Sequence, residues 1–351
     1  MDLSDFLIEL QKYLRLEPTL IIGTGLSCSV GLPGMTHLSA YLNTNINSHT
    51  CNIDIVDEWR SIYSDVLKNG LEAALLSKTV STKLLDEIIK LTYRCVNDSE
   101  KKLLLDIDSL KNSDYKFPAL LKHLFNSLSP DTAFLDVITP NYDRLVELSC
   151  EICDLPYTTG FSGGIYKYYS DRNWSKSYCQ NPTIVKGKVG SSYSVIHKIR
   201  IFKPHGSLGW KEDNDGKFCD CEHELPGCNP TIITPGTSKY EKVSTNFIFD
   251  AHRTRAMESI SQAKSLIFIG YGFNDDHLQT TALHKIAQGI PVLVLTKTLS
   301  DKALKIVNEH PRIMAVSDNN DGRTKVVTDG NEYILHGDFW SINSFIKCTI
   351  L

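Results

Sequence analysis

The chain has 351 residues, 42% of them hydrophobic and 22% charged, with a net charge of -4. Such a composition builds one large core or two modest ones, and its slightly acidic balance gives no electrostatic reason to expect nucleic acid as a direct ligand. No apolar run is long enough to cross a bilayer, and ten cysteines without a leader point to free thiols in a reducing, cytoplasmic setting.

In chain order, MDLSDFLIELQKYLRLE reads as an amphipathic helix. Thr19–Thr24 (TLIIGT) is a short apolar run ending in glycine, as a buried parallel strand does. Gly25–Gly34 is glycine-rich and leads into a helix at THLSAYL. Between about Ile55 and Leu128 the apolar residues fall at helical spacing, with breaks expected near Asn97 and Asn112. Strand character returns at Phe134–Thr139, Val195–Pro204, Thr231–Thr234, Ser265–Gly270 and Pro291–Thr296, and again at YILHGDFW before a final helix. Thr159–Ser194, rich in Gly, Ser, Tyr and Asn, reads as a long loop of the kind that forms a lid. Strands alternating with helices imply an α/β fold, a Rossmann-like doubly wound parallel sheet. The expected division is a core of residues 1–54 and 129–351 with a helical insertion at 55–128.

Four segments carry chemistry. Gly23-Thr24-Gly25-Leu26-Ser27, followed by Gly31-Leu32-Pro33-Gly34, places glycines directly after a strand, where the backbone can approach a pyrophosphate. The dehydrogenase fingerprint needs a third glycine where Cys28 stands, and an acid about twenty residues on, where Asn43, Thr44, Asn45 and Asn47 stand. Hydride transfer is therefore disfavoured, and a plain strand–turn–helix accounts for the loop equally. Thr139-Pro140-Asn141-Tyr142-Asp143 ends a strand, where an amide and a carboxylate can hold ribose hydroxyls and a water, or simply cap the next helix. Lys203-Pro204-His205-Gly206-Ser207 presents a histidine at another strand end, a general base or a structural imidazole. Gly270-Tyr271-Gly272-Phe273-Asn274-Asp275-Asp276-His277 repeats the strand-then-glycine pattern, for the second half of a dinucleotide or as a turn with Asp275 capping a helix.

The order GTGxS…GLPG, TPNYD, KPHGS and FIGYGFNDDH, spread over Leu20–Leu278, resembles the sirtuin family, and within it a divergent bacterial sirtuin-like branch. The resemblance implies NAD as substrate. It aligns Asn141 and His205 with the catalytic asparagine and histidine, and Asp143 with the acid of the nicotinamide-ribose pocket. Gly23, Thr24, Gly25, Ser27 and Pro33 fall on the cofactor loop, and Gly270 on the adenosine side, where Tyr271, Asp275 and His277 join the expected contacts. It implies NAD hydrolysis to ADP-ribose and nicotinamide in antiphage defence, with deacylation or ADP-ribosyl transfer as the alternative, or a sensor that binds a nucleotide without turnover. An unrestrained NAD hydrolase would starve its own cell, so restraint by assembly is expected, as a homo-oligomer or with an activating protein such as an ATPase or a phage component.

Sirtuin deacylases carry two C-x-x-C pairs that hold zinc; here Cys219, Cys221, His223 and Cys228 stand in FCDCEHELPGC, a different spacing. Thiolates and an imidazole suit zinc, and reduced cysteines at a hairpin tip fit as well; no metal is expected. Cys150-x-x-Cys153 lies in a predicted helix and reads as packing. Without the ribbon that shapes a peptide cleft, deacylation is the less favoured activity.

Overall fold

The computed structural model describes residues 1–50, 52–185, 188–212, 216–222, 229–234 and 247–350. Helix α1 (Leu3–Leu14) precedes β1 (Thr19–Ile22), and the glycine-rich segment coils into α2 (Thr24–Cys28) before α3 (Met35–His49). Five helices follow: α4 (Ile53–Asn69), α5 (Leu71–Ser77), α6 (Thr82–Leu105), α7 (Ile107–Asn112) and α8 (Phe117–Asn126). The middle of the chain runs β2 (Phe134–Ile138), α9 (Leu145–Ile152), β3 (Tyr157–Thr158), β4 (Phe161–Gly163), β5 (Lys167–Tyr169), β6 (Ser177–Val185) and β7 (Lys188–Ile196). Next come β8 (Lys198–Phe202), β9 (Gly206–Glu212), β10 (Phe218–Asp220) and β11 (Asn229–Ile232). The last stretch alternates α10 (Phe247–Gln262), β12 (Leu266–Ile269), α11 (Asp276–Ala287), β13 (Val292–Leu295), α12 (Asp301–Glu309) and β14 (Ile313–Asp318), then closes with β15 (Arg323–Thr328), β16 (Asn331–His336) and α13 (Ile342–Thr349).

The main sheet has the order β16-β15-β14-β13-β12-β1-β2-β8-β3, parallel from β14 to β3 and antiparallel beyond. It is a doubly wound α/β sheet. The chain begins in its middle, winds to one side through β2, β3 and β8, then returns to the other through β12 to β14, so the winding reverses between β1 and β12. Ligand crevices open at such a switch point, at the carboxyl ends of the strands. Apolar layers bury both faces: Leu20, Ile22, Val137 and Ile201 on one, Ile21, Ile138, Phe202 and Phe268 on the other. That is why these strands read as continuous apolar runs.

The helical layer has its own core, in which Leu42, Ile46, Trp59, Ile62, Leu84 and Ile88 interlock. The apolar stripes of α4 and α6 are consumed there. The expected boundaries at 54/55 and 128/129 cut across the packing groups. Leu38, Leu42 and Ile46 of α3 belong with the helical core, whereas Phe117, Leu120 and Leu124 of α8 pack with the main sheet. A second, antiparallel sheet, β11-β9-β10-β5-β4, closes over Trp210, Phe161 and Phe249.

Three sequence expectations need correction. Thr159–Ser194 is not one long loop: it contains β4, β5, β6 and most of β7, the last two forming a hairpin. Residues 178–181 and 191–194 are exposed, so no face is buried and no alternation marks them as strand. Val195–Pro204 is two strands split at His197, one paired within the hairpin and the other with β2. Helix α6 runs unbroken through Asn97, which lies on its buried face, so tertiary packing overrides the weak propensity of asparagine. At the C-terminus β14 and β15, unmarked in the sequence reading, precede β16. Among the described residues, no helix is long and apolar enough to cross a membrane.

Candidate active site

One half of the crevice is made of backbone. Strands β1 and β12 lie side by side, Ile22 opposite Ile269, and each runs directly into a glycine. The Gly23 N–H donates to Ile269 O at 2.9 Å and the Gly25 N–H to Gly270 O at 3.0 Å. A Cβ on Gly23 would stand 2.3 Å from Gly270 O, and one on Gly25 would stand 2.7 Å from Gly270 Cα. Gly270 also takes φ +59°, the left-handed region where a side chain is costly. The glycines thus serve first the close approach of two loops. Thr24 and Gly25 remain exposed and Pro33 half-buried, while Gly23 and Ser27 are buried.

The other half is made of side chains. After β2, Thr139 N–H donates to Phe202 O at 2.9 Å, and its hydroxyl accepts from Asn141 N–H at 3.2 Å. Ser27 Oγ donates to Asp143 Oδ2 at 2.8 Å, and Asn141 Nδ2 donates to Ser27 Oγ at 3.0 Å. The serine proton is committed to the carboxylate, so the serine can only accept from its other neighbour. That assigns the amide NH2 of Asn141 toward Ser27. Asn141 Oδ1 is then left buried with no partner among the described residues. Asp143 Oδ1 also accepts the Leu145 N–H at 3.2 Å, so the carboxylate opens α9 and holds Ser27 at once.

A buried cation lies beneath this loop. Lys203, wholly buried, donates to Asp143 O and, at 3.0 Å, to Glu147 Oε1. Burial pushes the Asp143 carboxyl up from its ordinary range, and Lys203 and the Ser27 hydrogen bond work against that. The Lys203 N–H donates to His252 Nδ1 at 3.0 Å. Burial, then the charges of Lys203 and Arg255, hold that imidazole neutral, with its pKa lowered to about 3. Its ring packs 4.5 Å from Trp210 and 5.3 Å from Trp174.

His205 follows Lys203 across Pro204, and its Nε2 lies 2.8 Å from Asp275 Oδ2. Asp275 Oδ1 also accepts the Leu278 N–H at 3.3 Å, capping α11. His205 follows β8 and Asp275 follows β12, and β1 and β2 lie between them in the sheet. At about 4.8 Å per strand, this contact spans the ends of both. The pair therefore bridges over the glycine loop and the asparagine loop. The contact is one of distance rather than of hydrogen-bond geometry, so it holds the imidazole beside the carboxylate without fixing which ring nitrogen carries the proton.

Of the expected contacts, Ser27, Asn141 and Asp143 share one hydrogen-bonded cluster, and His205 and Asp275 pair. Tyr271 differs: its ring turns into the core against Phe268 and Phe273 at 5.6 and 5.3 Å, so at that position the main chain lines the crevice. His277 is in α11, and its side chain lies outside the described residues. Cys219 and Cys221 are buried beside β10, and His223 and Cys228 lie outside the described residues. Among the described residues, no group of three or more His, Cys, Asp or Glu is placed to hold a metal. Sequence reasoning missed the Lys203–Glu147 pair and His252. The lysine stands within the KPHGS motif, but nothing in its spacing tells a buried ammonium from a solvated one.

Residues 136–292 match the SIR2-like domain family, a span that holds the TPNYD, KPHGS and GYGFNDDH motifs and leaves the Gly23–Gly34 loop outside. No curated protein sequence matches. Similar solved structures include a Sir2 homolog in complex with NAD, at 12% identity over 84% of this chain and 84% of that one with TM-score 0.42. Another, addressing the mechanism and regulation of Sir2 enzymes, is 10% identical over 86% of this chain and 89% of that one with TM-score 0.41. A third, Sir2Tm bound to a propionylated peptide, is 12% identical over 91% of this chain and 93% of that one with TM-score 0.40.

Proposed function

We propose that this protein binds NAD in the crevice and hydrolyses the bond between nicotinamide and ribose. The observation that carries this reading is the buried, unpartnered Asn141 Oδ1, fixed by Ser27 and Asp143. A buried acceptor without a donor is costly; a ribose hydroxyl or an attacking water supplies the donor. The glycine pair at the switch point leaves bare backbone for the pyrophosphate. The C1′–N bond breaks through an oxocarbenium-like state, nicotinamide leaves, and water adds its oxygen to C1′. His205, oriented by Asp275, takes the proton of that water and returns it to solvent. Asp143, anchored by the Ser27 hydroxyl and the Leu145 N–H, shapes the ribose pocket and places its carboxyl group beside the positive charge that develops.

Nicotinamide release from purified protein tests this reading. Asn141→Ala and His205→Ala should each lower turnover about a hundred- to ten-thousand-fold while the fold persists. Full turnover by folded His205→Ala protein overturns the mechanism. Water is favoured as acceptor because Cys219 and Cys221 are not spaced as a zinc ribbon; release that requires an acetyl-lysine peptide would instead favour deacylation. We further propose, from the sirtuin-like resemblance alone, that such turnover serves antiphage defence and is restrained by a second copy or another protein until needed. Cellular NAD that stays constant through infection, or specific activity that stays high and constant at every protein concentration, speaks against that role.

A further inference from the structure

A cavity of about 290 Å³ lies against α9, directly after the Asn141–Asp143 loop. Asn141, His205 and Gly23 do not line it; Arg144, Leu145 and Glu147, which directly follow Asp143, do. Its apolar wall is Leu32, Leu103, Leu148 and Phe161. Its polar wall carries Glu100, Glu147, Glu151, Asp220 and Glu222 against Arg144 and Lys167.

Most of these charges are already spoken for. Arg144 Nε donates to Glu100 Oε1 at 2.8 Å, and its Nη1 lies 3.1 Å from Glu222 Oε1. Glu147 holds Lys203, and Glu151 accepts from the Tyr157 hydroxyl at 2.7 Å. Asp220 has no hydrogen bond or ion pair from its carboxylate among the described residues. Lys167 stands opposite it in the strand register without pairing to it. Among the described residues, even with Lys203 counted behind the wall, five carboxylates face three cations. Thr159 supplies an independent observation. It is only 6% exposed, lines the same cavity, and its hydroxyl has no partner among the described residues.

We propose that this cavity binds a small organic cation, an alkylguanidinium whose charged head meets Asp220 and Thr159 and whose stem lies along Leu103 and Leu148. Excess negative charge selects a cation, and the apolar wall selects one carried on hydrocarbon rather than a bare metal ion. A planar guanidinium suits a carboxylate and a hydroxyl together, because its fork presents several donors in one plane. Occupation would press on Arg144 and Glu147 at the Asp143 end of the loop, where Glu147 holds the Lys203 that bonds Asp143 O. That effect on turnover rests on the proposed hydrolase reading, whereas binding itself does not.

Titration calorimetry of the full chain, without NAD, uses butylguanidinium as probe and butylurea as its uncharged isostere. Saturable binding of the guanidinium is expected, with the urea at least about tenfold weaker. Asp220→Asn should weaken binding about ten- to a hundredfold, and added salt should weaken it further. Thr159→Val, which alters no charge, should weaken it several-fold and serves if the Asp220 variant does not fold. Absence of saturable binding, equal binding of the urea, or full affinity in both variants overturns the proposal. The NAD reading is untouched by any of these results.

Discussion

The two sides of the crevice are built from different materials. On the β1/β12 side two loops meet main chain to main chain, and what is required is the absence of a side chain at Gly23, Gly25 and Gly270. On the β2/β8 side two backbone bonds, from Thr139 to Phe202 and from Leu208 to Tyr142, are joined by a network of side chains: Ser27, Asn141, Asp143, Lys203 and Glu147, every one buried. A backbone contact tolerates no substitution but is indifferent to charge. A buried polar network tolerates conservative exchange but fails when one partner is removed without the other.

Breaking the backbone side should have the largest effect. Gly270→Ala places a Cβ 2.5 Å from Leu26 N at a left-handed φ, with main chain on the other side and no flexible group to yield. Destabilisation beyond about 4 kcal/mol is expected, seen as loss of soluble protein or of the unfolding transition. A well-folded variant with an unchanged denaturation midpoint would show that the loops can part at little cost.

Lys203→Met attacks the other side. It leaves Glu147 buried without its cation and should cost about 3–5 kcal/mol in urea denaturation. The double change Lys203→Met with Glu147→Leu should recover much of that, because it removes the stranded charge. A double variant as unstable as the single one would mean that the lysine acts by packing alone. Ser27→Ala is milder: it strips one bond each from Asn141 and Asp143 and should cost about 1–3 kcal/mol. In the proposed hydrolase, turnover should fall with it even where the protein remains folded. Unchanged turnover would detach Ser27 from the positioning of Asn141.

The smallest effect at any one pH near neutrality is a slope. The unfolded chain protonates His252 near its ordinary value of 6.5, but the folded chain resists until about pH 3. Below 6.5 the unfolded state therefore holds the extra proton. This group's contribution is complete above that pH and is lost as pH falls toward 3, by at most about 1.4 kcal/mol per pH unit. His252→Gln should flatten the acid limb of stability against pH. A limb of the same steepness would assign the acid loss to other groups.

What the sequence disclosed follows the same division. Glycine directly after an apolar run marked the strand ends at Gly23 and Gly270, whereas Asn141 and His205 were singled out by the polar motifs that follow two other runs and by the order of all four. The ion pair beneath them was not legible, because Lys203 and Glu147 stand far apart in sequence and each is of a type that is mostly exposed. Tyr271 shows the converse: a residue inside a recognised motif whose ring serves the core. The β6–β7 hairpin escaped notice because its described residues 178–181 and 191–194 are exposed with no alternation, and β15 because it joins the sheet only at its far, antiparallel end. Asn97 was read as a break although three-dimensional packing carries α6 straight through it.

The placement of β1 has a consequence for synthesis. Of the described strands of the main sheet, the earliest in the chain is a central one, and all four of its residues are buried in the finished sheet. Its neighbour β2 starts at Phe134, and the neighbour on its other flank, β12, starts only at Leu266. On a ribosome adding about 5–20 residues per second, the strand therefore waits roughly ten to fifty seconds for its second flank. The helical layer meanwhile has all of its own core by Cys95 and can condense early. The nascent chain thus carries an unpaired apolar edge through most of its translation. A factor that shields short apolar segments during elongation would govern the yield of this protein more than any late step of folding.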